Sequence, residues 1–283
     1  MPVRITALYS YPIKACGRLE HQSAALEAYG LAHDRHWMFV SDSDETRGRF
    51  LTQRELPPLA VIQPSFVADD LHIEAPGHGS ISVPLMIAAD TPTRSVVIWR
   101  DTADAHDEGD RAAAWASAYL GTPVRLVRMA QAHYRRVDPT YSQQTAQVGF
   151  ADAYPILVTN ESSLDDLNDR LLERDKDALP MTRFRPNVVI ADADAWAEDA
   201  WSQFEIAGIR FEGVKLCARC AVTTVDQETG TRPDVTEPTA TLATFRKRER
   251  GVMFGQNVVH RGTGMLSVGD AVRVVEVFPI EAP

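Results

Sequence analysis

Three cysteines in 283 residues are too few for a disulfide framework, and a 45% hydrophobic content lets the chain build a core without one. No stretch approaches the ~20 consecutive apolar residues of a membrane span. Met1-Pro2-Val3-Arg4-Ile5-Thr6 enters strand-like alternation where a signal peptide would carry its apolar block. Basic residues are outnumbered 29 to 39, for a formal charge of -10, which disfavours a general nucleic-acid binder because phosphate backbones need a basic face. Internal repeats, low-complexity tracts and heptads are lacking, so a fibrous or coiled-coil role has no support. On these grounds the chain is expected to be a cytoplasmic globular protein with no membrane or nucleic-acid partner.

Two motif classes are also missing. His21, His33, His36, His72, His78, His106, His133 and His260 are scattered without His-x-x-x-His spacing, as expected of surface or core histidines. The chain has no Gly-x-Ser-x-Gly elbow, which removes the usual signal of a serine hydrolase.

What is present reads as a mixed, β-rich α+β fold. Alternation at Val3-Ile5-Ala7-Tyr9 is followed by short strand-like runs at Trp37–Val40, Leu59–Ile62, Leu71–Ile73, Ile81–Val83 and Ser95–Ile98, separated by Gly, Pro and Asp turn signals. The spacing predicts a small antiparallel sheet or barrel. An Ala-rich helix is predicted from Asp110 to Leu120, ending at Gly121 as a C-cap. The Gly121-Thr122-Pro123 break divides a first domain, 1–122, from a second, 123–283. The second carries strand signals at Val124–Val127, Ile156–Thr159, Asn187–Ile190, Ala221–Val225, Met253–Val259 and Ala271–Val275. An amphipathic helix with Leu164, Leu167 and Leu171 on one face is expected to start near Ser162 or Ser163. Long connections at Gln131–Ala151 and Thr229–Pro238 exceed the usual loop length.

The segment Cys217-Ala218-Arg219-Cys220-Ala221-Val222-Thr223-Thr224-Val225 pairs two cysteines with a β-branched run. Structural zinc would need a second pair of ligands at finger spacing, and none exists. A dithiol redox pair would open a helix, whereas the residues after Cys220 read as a strand. Two buried small hydrophobes remain a competing account. So does a single thiolate ligand for a soft, redox-active metal.

Eight segments stand in one order along the chain: Tyr11-Pro12-Ile13-Lys14, Asp34-Arg35-His36-Trp37, Leu51-Thr52-Gln53-Arg54, Phe150-Ala151-Asp152-Ala153-Tyr154-Pro155, Asn160-Glu161-Ser162-Ser163-Leu164, Phe184-Arg185-Pro186-Asn187, Cys217-Ala218-Arg219-Cys220 with Thr223-Thr224-Val225-Asp226, and Phe254-Gly255-Gln256. Through them the chain resembles the MOSC family, and more narrowly those members with an N-terminal β-barrel before the MOSC barrel, the amidoxime-reducing group. The resemblance implies a small β-barrel-like domain followed by a MOSC β-barrel domain with peripheral helices. It implies a molybdenum cofactor ligated by Cys220, with Cys217 behind it, and cofactor contacts from Lys14, Arg35, Asn160, Glu161, Ser162, Ser163, Arg185 and Asn187. Residue types suit these tasks, since guanidinium forks phosphate, lysine supplies a point charge and helix-start N–H groups complete a cradle.

The implied reaction is two-electron, two-proton removal of oxygen from N-hydroxylated compounds as water. The alternative is a carrier that holds molybdenum cofactor, or its sulfur, without turnover. No cluster of four cysteines for an iron–sulfur centre occurs in these residues, so electrons are expected from a separate flavin or iron–sulfur protein. Thr52 and Arg54 belong to the pattern without an assigned role. Two departures stand out: Ala15 where serine is usual, and Gln227 where proline usually stiffens the turn.

Overall fold

The computed structural model describes residues 2–130, 135–137 and 146–278. Of the long connection over Gln131–Ala151, positions 131–134 and 138–145, including His133, lie outside the described residues.

The largest sheet has nine strands. Eight run in the order Leu19–His21, Arg4–Ser10, Val188–Ala191, Ile156–Asn160, Gly251–Arg261, Ile209–Ala218, Trp201–Ile206 and Val272–Val277, with Lys247–Arg248 paired to Gly251–Arg261. Only Ile156–Asn160 and Val188–Ala191 pair in parallel, because between them the chain crosses over through the helix Glu161–Leu172, α2. A second sheet orders Trp37–Ser41, Val124–Met129, Asp101–Asp107 and Thr93–Ile98. Gln63–Val67, Asp70–Ala75 and Gly79–Pro84 form a three-stranded meander.

The ends of the two halves interleave. Arg4–Ser10 lies against Val188–Ala191 in the large sheet, while Val124–Met129, after the Gly-Pro break, pairs back onto Trp37–Ser41. The helix before that break, Asp110–Leu120, α1, ends as expected with Gly121 in the left-handed conformation, φ 69. Two apolar clusters each draw on residues of both halves. Ile5, Leu8, Val158, Val188, Phe204, Phe211 and Val258 fill one, and Ile13, Trp37, Phe39, Leu71, Ile73, Ala116 and Leu126 fill the other. Burial of a side chain of this size contributes ~1.5–3 kcal/mol. Leu164, Leu167 and Leu171 of α2 pack with Phe184, Leu242 and Phe254, and the Phe184 and Phe254 rings stack at 3.8 Å.

Two expected strands are corrected. Of the expected strand Leu59–Ile62, the first three residues fall in a 3-10 helix, Pro57–Val61, which Ile62 ends; Pro57 and Pro58 fix φ and lack the N–H a ladder requires. Ala221–Val225 is replaced by a 3-10 turn, Ala221–Thr224. There the threonine hydroxyls donate back to the chain, Thr223 Oγ1 to the Cys220 carbonyl at 3.0 Å and Thr224 Oγ1 to the Ala221 carbonyl at 2.8 Å. Local bonding of this kind competes with a strand ladder and outweighs β-branching. α2 starts earlier than expected, at Glu161, because Asn160 caps it by accepting from the Ser162 N–H at 3.3 Å. No helix among the described residues is long and apolar enough to cross a membrane.

Candidate functional site

Cys217 lies in the strand Ile209–Ala218, beside a register shift between Leu216 and Ala218. Bulges of this sort re-aim side chains. The chain then turns, and Cys220 stands exposed as the N-cap of the following 3-10 helix. Arg219 separates the two thiols chemically. Its Nη1 donates to Cys217 Sγ at 2.9 Å and its Nη2 to the Phe184 carbonyl at 2.8 Å.

Cys220 opens onto a cavity of about 340 Å³, within the range of small-ligand sites. Lys14, Arg35, Arg185 and Asn187 line the same cavity, as do Thr52, Arg54 and Cys217. In a chain of net charge -10, six cationic residues face this space, Lys14, Arg35, Arg54, Arg185, Lys215 and Arg219, against one carboxylate, Asp152. Such a concentration of one sign is a field for an anion.

Each cation is held from the backbone upward. Lys14 follows the Tyr11-Pro12-Ile13 segment, and its buried Nζ donates to the Phe150 carbonyl at 2.8 Å and to the Asp152 carboxylate. Burial pulls the Lys14 pKa below that of an ordinary lysine, while Asp152 pushes it back up. The Asp152 side chain is exposed, and the Lys14 charge and hydrogen bond hold its carboxyl below the usual range. Arg35 and Arg185 both sit at left-handed backbone positions, φ 50 and 55, an uncommon conformation for side-chain-bearing residues that clusters at functional sites.

The two guanidinium carbons lie 4.4 and 4.1 Å from the centroid of one ring, that of Tyr11. Arg35 Nη1 donates to the Asp34 carboxylate and, at 3.1 Å, to Asn187 Oδ1. Asn187 also accepts from the Leu157 N–H at 3.2 Å and donates to the Tyr9 carbonyl at 3.2 Å. Arg185 Nη1 donates to Gln227 Oε1 at 2.9 Å. Burial lowers the Arg185 pKa to about 10, which leaves it cationic at neutral pH. Burial likewise raises Tyr11 to about 12 against the pull of both arginines, and its buried hydroxyl has no hydrogen-bond partner. Tyr11 lines a second, smaller cavity and not the one onto which Cys220 opens, so toward the Cys220 site its ring serves as the shared face on which Arg35 and Arg185 rest.

The Asn160–Ser163 turn is placed elsewhere. None of Asn160, Glu161, Ser162 or Ser163 lines the cavity. Asn160 caps α2 and donates to the Asp194 carbonyl at 2.8 Å, and Ser163 Oγ donates to Glu198 at 2.9 Å. The start of this helix is thus served from within the chain. Asp226 caps its turn, with Oδ1 accepting from the Glu228 and Thr229 N–H groups, both at 2.9 Å. Gln227 does not loosen that turn, because its amide is fixed by Gln53 and Arg185. No described histidine lines the cavity, and no cluster of three metal-ligating side chains occurs among the described residues.

Residues 2–123 match the MOSC N-terminal beta barrel domain and residues 145–273 the MOSC domain. Mitochondrial amidoxime-reducing component 1 of Mus musculus is 33% identical over 95% of this chain and 81% of that protein. The chain belongs to the MOSC-domain family. The Homo sapiens protein of the same name is 31% identical, covering 95% of this chain and 82% of its own. Molybdenum cofactor sulfurase of Danio rerio is 30% identical over 95% of this MOSC chain and 34% of that protein.

Several residues of the MOSC cavity carried no assigned role in the sequence. Asp152 and Tyr154 lie within a recognised segment, yet only the fold reveals that Asp152 pairs with Lys14 and that Tyr154 lines the cavity. Trp37 and Phe254 are core residues. Phe50, Trp99, Lys215 and Asn257 also line the cavity and had no local signal.

Proposed function

We propose that this MOSC protein is a molybdenum-cofactor-dependent reductase of N-hydroxylated compounds: amidoximes, hydroxylamines or N-hydroxylated nucleobases. The observation that carries the reading is the exposed Cys220 thiol opening onto a cavity with six cationic residues and a single carboxylate. A thiolate is the soft ligand that suits molybdenum, and the cations suit the phosphate of a pterin. The names of the relatives support the same chemistry.

When bound, the cofactor supplies the two-electron reduction, which side chains alone do not provide. The protein's part is to bind and orient. Cys220 furnishes the metal ligand, and Arg219 keeps Cys217 engaged so that one thiol is left for it. Arg35 and Arg185, each with five N–H donors, retain capacity for an anion beyond their contacts to Asp34, Asn187 and Gln227. Lys14 adds a point charge. Asp152, held ionised by Lys14, is no proton donor near neutral pH, and solvent is the proposed source of the two protons.

A separate flavin or iron–sulfur protein is the proposed source of the electrons. The cytoplasm is the proposed compartment. The test is metal and pterin content, together with benzamidoxime reduction by a chemical donor, in wild type and Cys220→Ser. Similarity to the sulfurase favours one second reading, a cofactor carrier, which predicts full molybdenum loading without reduction of any N-hydroxylated compound.

A further inference from the structure

Trp99 occupies an unfavourable backbone position. Ile98 pairs with Asp101 across the hairpin, so Trp99 and Arg100 form a two-residue loop in which Trp99 takes φ 57. The first central position of such loops favours glycine, asparagine or aspartate when φ is positive, and a bulky residue there is strained. Trp99 is also 48% exposed, although indole is a costly group to leave in water. Neither turn chemistry nor core packing accounts for it.

Its surroundings do. The indole lines the cavity onto which Cys220 opens, its Nε1 donates to Asp152 at 3.0 Å, and the Phe50 ring lies 4.9 Å away. The Arg54 guanidinium carbon stands 4.8 Å from the indole centroid. Indole and guanidinium together give a flat, polarisable wall, tied through Asp152 to Lys14. Phe50, Tyr154 and Phe184 add further aromatic lining.

We propose that the Trp99–Arg54 wall sets substrate class, selecting flat, π-conjugated N-hydroxylated compounds such as aryl amidoximes and N-hydroxylated bases over saturated ones of equal size. This rests on the reductase reading above. Stacking on an aromatic or guanidinium face rewards a π-system and gives a saturated ring only the dispersion of its edge. The strained turn is the means by which an indole reaches the cavity.

The test compares benzamidoxime with cyclohexanecarboxamidoxime, measuring dissociation constants by ligand-observed NMR without an electron donor, so that no turnover occurs. Wild type is expected to prefer the aryl compound roughly tenfold. Trp99→Gly, which suits the turn and should keep or raise Tm, is expected to reduce the preference to about twofold, and Trp99→Phe to retain most of it, within the same stacking range. Equal weakening of both ligands in Trp99→Gly, or an unchanged preference, overturns the proposal. A preference that depends on Trp99 in a molybdenum-loaded protein that reduces neither compound supports the wall and sinks the reductase reading.

Discussion

The side-chain amides of Gln53 and Gln227 exchange hydrogen bonds of 3.0 and 2.9 Å across 174 residues of sequence. Gln53 also donates to the Ala15 carbonyl at 2.7 Å, next to Lys14, and Gln227 Oε1 accepts from Arg185. One amide pair thus links the Lys14 segment of the first half to Arg185 of the second. Removing one partner leaves a buried amide unpaired, at a cost of ~1–3 kcal/mol. Gln53→Ala and Gln227→Ala are each expected to lower stability by that amount and to weaken pterin retention, and a double-mutant cycle by urea unfolding should give a coupling well above zero.

Glu198 makes stability depend on pH. It is fully buried, and burial, reinforced by the charge of Asp199, raises its pKa from 4.5 to about 7. Between these values the unfolded chain has released a proton that the folded chain still holds. Stability from this group is therefore present below about 4.5, declines as pH rises, and is lost above about 7, a swing of at most ~3 kcal/mol. Glu198→Gln should flatten the decline and raise Tm at pH 8, which thermal unfolding at pH 5, 6, 7 and 8 measures.

Lys14 gives the cavity an alkaline limit. Its pKa is already lowered by burial and partly restored by Asp152, so the ammonium is lost at lower pH than that of an ordinary lysine. Asp152→Asn removes the restoring charge. The alkaline limb of pterin retention, followed by cofactor fluorescence after gel filtration, should move toward neutral pH in that variant.

Leu167 tests the packing that supports the site from behind. It is fully buried among Leu164, Leu171, Phe184, Leu242 and Phe254. Leu167→Ala should cost ~2–5 kcal/mol by denaturant titration. The thiol count in the folded state should be unchanged, because Cys220 is exposed without help from this cluster.

Much of the fold was legible wherever side-chain alternation and turn chemistry agreed, as at Asp70–Ala75, Gly79–Pro84, α1 and its Gly121 cap. It failed where local bonding opposed residue preference. Leu59–Ile62 looks apolar and strand-like until Pro57 and Pro58 are weighed, and Ala221–Val225 is β-branched but folded back by its own threonine hydroxyls. The site divides in the same way. Lys14, Arg35, Arg185, Asn187 and Cys220 reach one cavity, whereas the Asn160–Ser163 turn, which looks like an anion cradle in sequence, is closed by its own cap and by Glu198. Asp152 and Trp99 owe their places to long-range pairing of segments, which no local pattern encodes.

The central claim is that Cys220, and not Cys217, holds the metal. The decisive measurement is molybdenum per protein by mass spectrometry, with benzamidoxime reduction on the same samples, for wild type, Cys217→Ser and Cys220→Ser. Loss of molybdenum or of reduction in Cys220→Ser, with both retained in Cys217→Ser, is the expected result. Full metal and activity in Cys220→Ser would contradict it.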